Sequence, residues 1–237
     1  GHEEADPAIK IMAIGAHVGD MELTAGGVLA SRSLAGDEIV TVGLTAGEKG
    51  NPPEMSVVDY REQKVREAEE FAAMLGGTAV VFPYADGELP VTDAVAYELC
   101  DVIREHRPDV LVTHWRESIH KDHTAAHDIV ERAQYFAGVA GFERTKPAHF
   151  AAGPYYAENW EDPTGFTPTV YVTVSEEGFA LWREAIAKHW FTVHSTSFEY
   201  REYYTHLMSV RGIEARATYA QAFDVAPFAR RRVGDRF

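Results

Sequence analysis

Two stretches of the chain concentrate side chains that bind metal ions or transfer protons. In the first, residues 11–27, a short apolar run breaks into a polar turn that carries His17 and Asp20. In the second, residues 114–127, four histidines and Asp122 fall within one short segment. Imidazole and carboxylate groups are seldom buried unless they are paired or bound to a ligand. These two stretches are therefore the first candidates for catalysis.

The apolar segments around these residues predict an α/β fold. Short apolar or β-branched runs alternate with helical patterns, which is typical of parallel βαβ units. We predict a three-layer α/β/α, Rossmann-like domain with a mostly parallel sheet and helices on both faces. The predicted strands are 11–14, 38–44, 78–82, 109–113 and 170–174, and the predicted helices are 23–34, 56–75, 92–106, a segment through residue 137, 176–190 and 197–211.

Such a sheet would bring the two stretches together. In an open parallel sheet, ligands bind at the carboxyl ends of the strands, where the strand order reverses. If strands 11–14 and 109–113 meet there, His17, Asp20 and His123 come within reach of one ion. Two imidazoles and one carboxylate leave coordination positions for water, as in catalytic zinc sites and some ferrous sites. The alternative for these three residues is a hydrogen-bonded polar cluster without a metal.

Composition narrows the class of protein. The 237-residue chain carries a formal net charge of −15 and one cysteine, Cys100. Such a negative field repels phosphate backbones and anionic membranes, so nucleic acid is not an expected partner. We expect one domain over residues 1–237, with no membrane span and no signal peptide. A cytoplasmic location is expected because a single cysteine is compatible with a reducing compartment.

Four motifs in the first half of the chain resemble the LmbE-like or PIG-L family of zinc-dependent N-deacetylases. They are His-x-x-Asp-x-Glu-Leu-x-x-Gly-Gly from His17, Leu-Thr-x-Gly-Glu-x-Gly from Leu44, Asp-Gly-Glu-Leu from Asp86, and His-x-Asp-His from His120. The resemblance implies the α/β/α fold, one Zn²⁺ per chain with other divalent metals possible, and a small, polar, sugar-like substrate. Members of the family are often oligomers, so a homo-oligomer is expected.

The resemblance also implies roles for single residues. His17, Asp20 and His123 would be the metal ligands. His120 would stabilise the oxyanion or protonate the leaving amine, and Asp122 would orient a neighbouring imidazole.

Three further residues are predicted to bind the substrate. Glu48 and Asp86 lie in loops that the motifs cover. Arg61 lies in the first turns of the predicted helix 56–75, beside the expected crevice. Most of the other charged residues of that helix are expected on its solvated face, since they recur at i,i+3 and i,i+4 spacing.

One position departs from the family pattern. The family usually reads His-Pro-Asp-Asp-x-Glu, in which the first Asp is the general base, whereas this chain has Gly19 at that position. Losing a positioned general base commonly costs roughly 10²- to 10⁴-fold in rate. Glu22 matches a structural position of the family, and Glu48 and Asp122 are candidates to replace the base. The sequence does not decide among them.

Three functions therefore stay open. The first is zinc-dependent hydrolysis of a small acetamido or other amide substrate, which the family resemblance favours. The second is a metal-dependent hydratase or lyase reaction on an unsaturated carboxylate, which Gly19 favours because some relatives that lack this Asp are hydratases. The third is metal binding without catalysis.

Overall fold

The computed structural model describes residues 6–236, which form one sheet flanked by helices. The strands are β1 (Lys10–His17), β2 (Glu38–Thr45), β3 (Thr78–Tyr84), β4 (Val110–His114), β5 (Ala152–Ala157), β6 (Val170–Val174) and β7 (Tyr219–Asp224). The α-helices are α1 (Asp20–Thr24), α2 (Gly26–Leu34), α3 (Val57–Met74), α4 (Asp93–His106), α5 (Lys121–Gly138), α6 (Glu176–Ile186), α7 (Trp190–His194) and α8 (Tyr200–Glu214).

The seven strands are ordered β3-β2-β1-β4-β5-β7-β6. The first five of these run parallel, whereas β7 lies antiparallel to both β5 and β6. The strand order reverses between β1 and β4, so the loops that follow these two strands border the crevice where α/β sheets bind ligands. The prediction that strands 11–14 and 109–113 meet at this point is confirmed.

Helices cover both faces of the sheet. Met12 and Ile14 of β1 belong to an apolar core shared with α4 and α5. Ile11 and Ala13 point to the opposite core, which α2, α3, α6 and α8 close. Because both faces are buried, the central strands are apolar throughout instead of alternating with polar residues. The three-layer α/β/α arrangement confirms the predicted fold class.

The Gly26–Gly27 pair allows two helices to approach α2 closely. A Cβ atom on Gly26 would lie 2.5 Å from the Trp182 indole, and one on Gly27 would lie 2.7 Å from the Met208 sulfur. The Trp182 indole N–H also donates to the carbonyl of Glu22 at 2.7 Å. The glycines therefore anchor α6 and α8 against the helices that follow His17.

Several elements differ from their predicted form. The predicted helix 23–34 is two helices that join at Ala25, and the predicted helix 176–190 ends at Ile186 before the separate α7. Strands β5 and β7 were not predicted. β5 contains Gly153 and Pro154, residue types that are depleted in strands, and this hides it from a propensity argument.

The solvated face expected for α3 is wrong at two positions. Lys64 and Glu67 are buried, with side chains in the row that also buries Tyr60, Ala68 and Phe71. Helical spacing places these residues on one stripe, so two of the charges face the protein interior. Lys64 thereby reaches the loop after β1. Within residues 6–236, no helix combines the length and apolar character that a bilayer span requires.

Candidate active site

A cavity of about 290 Å³ opens at the carboxyl ends of β1 and β4. The loops after β1, β2, β3 and β4 form its floor, and residues after β5 together with α7 and α8 form its outer wall. Its lining includes His17, Asp20, Lys64, Asp86, His120, His123, Tyr60, Asn159, Trp160, Glu161, Phe191, Tyr200 and Tyr204. Most of the residues singled out from the sequence therefore share one cavity with residues from the second half of the chain.

His17, Asp20 and His123 present three donor atoms to one point on the cavity floor. Asp20 Oδ2 lies 2.9 Å from His17 Nδ1 and 3.3 Å from His123 Nε2. All three ligating atoms lie within 4.8 Å of one another. Two imidazole nitrogens and one carboxylate oxygen fit the donor preference of zinc and leave open positions for water or substrate. The residues present therefore fit a divalent metal ion.

The outer nitrogens of the two imidazoles are held by other groups. His17 Nε2 contacts Asp122 Oδ2 at 2.9 Å and Asp86 Oδ1 at 3.2 Å, so its N–H is directed at carboxylates. The Ser118 hydroxyl lies 3.4 Å from His123 Nδ1. Such contacts fix the tautomer and the ring orientation of metal-binding histidines. In the structure Asp122 therefore orients His17.

Carboxylates dominate the electrostatics around His17. Burial alone would lower the pKa of His17, but the charge of Asp20 and hydrogen bonds to Asp122, Asp20 and Asp86 raise it well above its ordinary value. Burial opposes ionisation of Asp20, yet His17, His123 and His114 hold the pKa of Asp20 well below its usual range. Excess negative charge around one imidazole favours a cation at this point.

His114 lies against the cluster but is engaged elsewhere. Its Nε2 accepts a hydrogen bond from the backbone N–H of Ala16 at 3.0 Å, and its ring stacks on His123 with centroids 4.1 Å apart. Burial and the neighbouring His123 lower the pKa of His114 to about 3, so it stays neutral. His114 therefore acts as a neutral wall beside Asp20.

His120 begins α5 and faces the cavity. Its Nδ1 accepts the backbone N–H of Asp122 at 3.1 Å, which leaves the ring proton of the neutral form on Nε2. Burial and the charges of His17 and His123 lower the pKa of His120. A neutral imidazole with Nε2–H can donate a hydrogen bond to a developing oxyanion.

The three predicted substrate-binding residues are placed differently. Asp86 lines the cavity. Burial alone would raise the pKa of Asp86, but His17 and the hydrogen bond from the Lys49 N–H outweigh burial and lower it. Glu48 is buried behind it and accepts the Asp86 N–H at 3.0 Å. The Arg61 guanidinium donates to the carbonyl of Phe82 at 2.9 Å and does not line this cavity. The structure therefore brings Asp86 alone of the three to the cavity.

Gly19 lies beside the His17–Asp20–His123 cluster, in a backbone conformation that most residues with a side chain do not adopt. Its φ is +102°, in the left-handed region. A Cβ atom built on it would lie 2.6 and 2.7 Å from two ring carbons of Phe191. The phenyl ring of Phe191 thus occupies the space next to residue 19, where the family resemblance led us to expect a general base.

Sequence reasoning missed two charged residues of the cavity. Lys64 Nζ donates to the carbonyl of Val18 at 3.0 Å and lies 4.1 Å from the centroid of the Phe191 ring. The apolar stripe of α3 was the signal for Lys64. Glu161 lines the outer wall, and no spacing pattern in the sequence marks it.

The chain is similar to proteins of one family. Residues 12–134 match the family described as PIG-L: GlcNAc-PI de-N-acetylase. The 4-oxalmesaconate hydratase of Pseudomonas putida is 22% identical over 222 residues, which cover 89% of this chain and 82% of the relative. The diacetylchitobiose deacetylase of Thermococcus kodakarensis is 29% identical over 141 residues, which cover 57% of this chain and 53% of the relative.

Two solved structures show the same fold. The 4-carboxy-2-hydroxymuconate hydratase of Pseudomonas putida matches with a TM-score of 0.84 and 21% identity, over 97% of this chain and 99% of that one. The N,N'-diacetylchitobiose deacetylase of Pyrococcus horikoshii matches with a TM-score of 0.79 and 21% identity, over 93% and 84%. Because residues 12–134 span the strands and loops that carry both halves of the metal-type cluster, the chain belongs to the PIG-L family.

Proposed function

We propose that this protein is a metal-dependent hydrolase that removes the acetyl group from a small, neutral, sugar-like acetamide. The observation that carries the proposal is the cavity itself. Its floor holds the His17–Asp20–His123 cluster, and its wall is rich in aromatic and hydroxyl groups. Deacetylases among its relatives act on substrates of this class, as their names state.

His17, Asp20 and His123 would hold the ion, with zinc as the proposed metal. When bound there, the ion would polarise the acyl carbonyl and lower the pKa of water toward 7. Asp122 and Asp86 keep the His17 ring oriented by accepting from Nε2. His120 donates a hydrogen bond from Nε2–H to the oxyanion.

The cavity wall favours a neutral substrate over a polyanion. Among the described residues that line the cavity, Lys64 is the only lysine or arginine, whereas Asp20, Asp86 and Glu161 supply carboxylates. The aromatic rings of Tyr60, Trp160, Phe191, Tyr200 and Tyr204 also line the cavity. Aromatic faces pack against the C–H faces of a sugar ring, and hydroxyl groups supply its hydrogen bonds.

A metal-dependent hydratase is the second candidate. Gly19 supplies no carboxylate next to the cluster, and a relative that covers 89% of the chain is a hydratase. Addition of water across a conjugated double bond would still use the same metal ligands and His120 as the proton carrier. Because Lys64 is the only lysine or arginine among the described lining residues, a substrate with several carboxylates is a poorer fit.

The two candidates are separated by assay of the zinc-loaded protein. We expect acetate release from a panel of N-acetyl amino sugars and loss of that activity on chelation. Loss of ultraviolet absorbance from conjugated dicarboxylates, without acetate release, would establish the hydratase instead. Metal content without either activity would support a binding protein. A homo-oligomeric state, a single domain over residues 1–237 and a cytoplasmic location stay predictions.

A further inference from the structure

The usual position of the general base is closed in this chain. An aspartate at residue 19 would place its Cβ 2.6 Å from the Phe191 ring and would have to adopt a φ of +102°. The ring is held in place, because Lys64 Nζ lies 4.1 Å from its centroid. The reaction therefore requires a proton acceptor from another part of the cavity.

The candidates left open by the sequence are already engaged. Glu22 accepts the backbone N–H of Gly19, and Glu48 accepts that of Asp86. Asp122 is fully buried and accepts from Gly87 at 2.7 Å in addition to its contact with His17. Each of these carboxylates holds a loop in place, and none of the three lines the cavity.

Glu161 differs from all of them. It lines the cavity, and its carboxylate makes no hydrogen bond or ion pair with the residues that the structure describes. The two other lining carboxylates, Asp20 and Asp86, are bound to His17. Among the cavity carboxylates of residues 6–236, Glu161 is thus the one with both oxygens available to a ligand.

The backbone of Glu161 is fixed beside His120 and His123. Its carbonyl accepts the Ile119 N–H at 2.9 Å and the Ser118 hydroxyl at 3.3 Å. Its own N–H donates to Asn159 Oδ1 at 3.0 Å. Ser118 in turn contacts His123 Nδ1. These bonds tie the outer wall to the loop that begins α5, so Glu161 keeps a constant position relative to the cluster.

We propose that Glu161 is the general base of this enzyme, a catalytic residue that takes over the role absent at Gly19. This inference rests on the proposed hydrolase function. The Glu161 carboxylate accepts a proton from the water that attacks the acyl carbon, a C–O bond forms and the C–N bond breaks. Glu161 then passes this proton to the nitrogen of the departing amine, which regenerates the Glu161 carboxylate, while the Nε2–H of His120 stabilises the oxyanion by a hydrogen bond. Burial raises the pKa of Glu161, which makes its carboxylate a stronger proton acceptor.

The first test is the isosteric variant Glu161→Gln, compared with Glu117→Gln, an exposed control in the loop after β4. We expect Glu161→Gln to keep its zinc and its KM and to lose roughly 10²- to 10⁴-fold in kcat. The control should retain the activity of the wild type. A Glu161→Gln variant with the kcat of the wild type would overturn the proposal.

A second test does not depend on the reaction. Acetohydroxamic acid loses a proton when it chelates zinc, and calorimetry in buffers of different ionisation enthalpy counts the protons released. We expect the zinc-loaded wild type to retain this proton on Glu161. Glu161→Gln should release it to the buffer and bind about tenfold or more weakly. Equal proton release by the two proteins would overturn the role of Glu161.

The two tests separate the proposals from each other. Absence of acetate release by the wild type, together with the expected difference in proton release, would refute the hydrolase function and leave Glu161 as a base at the metal site. Acetate release that survives Glu161→Gln would refute the role of Glu161 alone.

Discussion

The floor and the outer wall of the cavity differ in origin. The floor comes from the loops after β1, β2, β3 and β4, within residues 12–134 that match the family. The wall comes from the segment after β5 and from α7 and α8, beyond that range. On the floor, polar groups bind one another in a closed network. On the wall, Trp160 stacks on Phe198, and the Glu161 carboxylate makes no hydrogen bond or ion pair within residues 6–236.

This difference separates the proposed metal ligands from the rings that are expected to set specificity. A metal cluster tolerates few changes, since each donor must lie at a fixed distance and each imidazole needs an oriented outer nitrogen. The aromatic rings of the wall can change with the substrate. The Gly19–Phe191 contact joins the two regions, because a floor residue without a side chain lies where a wall residue supplies a ring.

The largest effect is expected on the floor. His123→Ala removes one of three donors, so we expect the affinity for zinc to fall by more than about 100-fold, beyond the loss typical of groups that only orient a ligand. Elemental analysis after purification measures the zinc content. His206→Ala, at an exposed position on α8, is the matched control. If His123→Ala retained stoichiometric zinc, the proposed ligand set would be wrong.

The contact between floor and wall can be measured by a double-mutant cycle. Gly19→Asp should lower the free energy of unfolding by about 2–5 kcal/mol, through the left-handed backbone and the clash with Phe191. Phe191→Ala should remove the part due to the clash, roughly 1–3 kcal/mol, when combined with Gly19→Asp. Urea unfolding of the four proteins gives the coupling. Additivity within about 0.5 kcal/mol would show that the two residues are independent.

The aromatic rings of the wall should affect substrate binding more than the chemical step. Trp160→Ala removes a ring that lines the cavity and stacks on Phe198, with centroids 4.4 Å apart. We expect KM for the acetamido sugar to rise about tenfold, equivalent to about 1.4 kcal/mol, with kcat nearly unchanged. Steady-state kinetics provide the measurement, and Phe228→Ala, a mostly exposed ring near the C-terminus, serves as control. A fall in kcat alone would place Trp160 in the chemistry.

The smallest effect concerns Lys64 and pH. Burial lowers the pKa of Lys64 from 10.5, against the pull of Glu67, Asp20 and other carboxylates. In the pH range between its lowered pKa and 10.5, the unfolded chain binds more protons than the folded one, so stability should rise with pH there. Lys64→Met lacks this group, so the difference in unfolding free energy between the two proteins should shift in favour of the wild type as pH rises. A pH-independent difference would contradict the lowered pKa.

Much of the floor could be predicted because local sequence determines it. His17 and Asp20 are three residues apart in one turn, and His120 and His123 are likewise three apart at a helix start. Strand–loop–helix periodicity gives their positions in the chain, and the rule for parallel sheets brings the two loops together. The fold class was predictable for the same reason, since buried parallel strands are short, apolar and separated by helices.

The wall could not be predicted in the same way. Glu161 is one of many acidic residues, and its place at the cavity follows from bonds of its backbone to Ser118 and Ile119, more than 40 residues earlier in the chain. Lys64 was expected in solvent because its charge outweighed its place on the buried stripe of α3. Strand β5, which leads into the wall, was hidden by Gly153 and Pro154.

The sequence by itself determined the α/β class, the two loops that carry the histidines and aspartates of the site, and the absence of a side chain at residue 19. The tertiary structure alone decided which groups fill the space around them. Phe191 lies 172 positions after Gly19 in the chain yet meets it at contact distance, because α6, α7 and α8 fold back over the helices that follow β1. Contacts of this kind depend on packing between distant elements, and no local pattern of residue types encodes them.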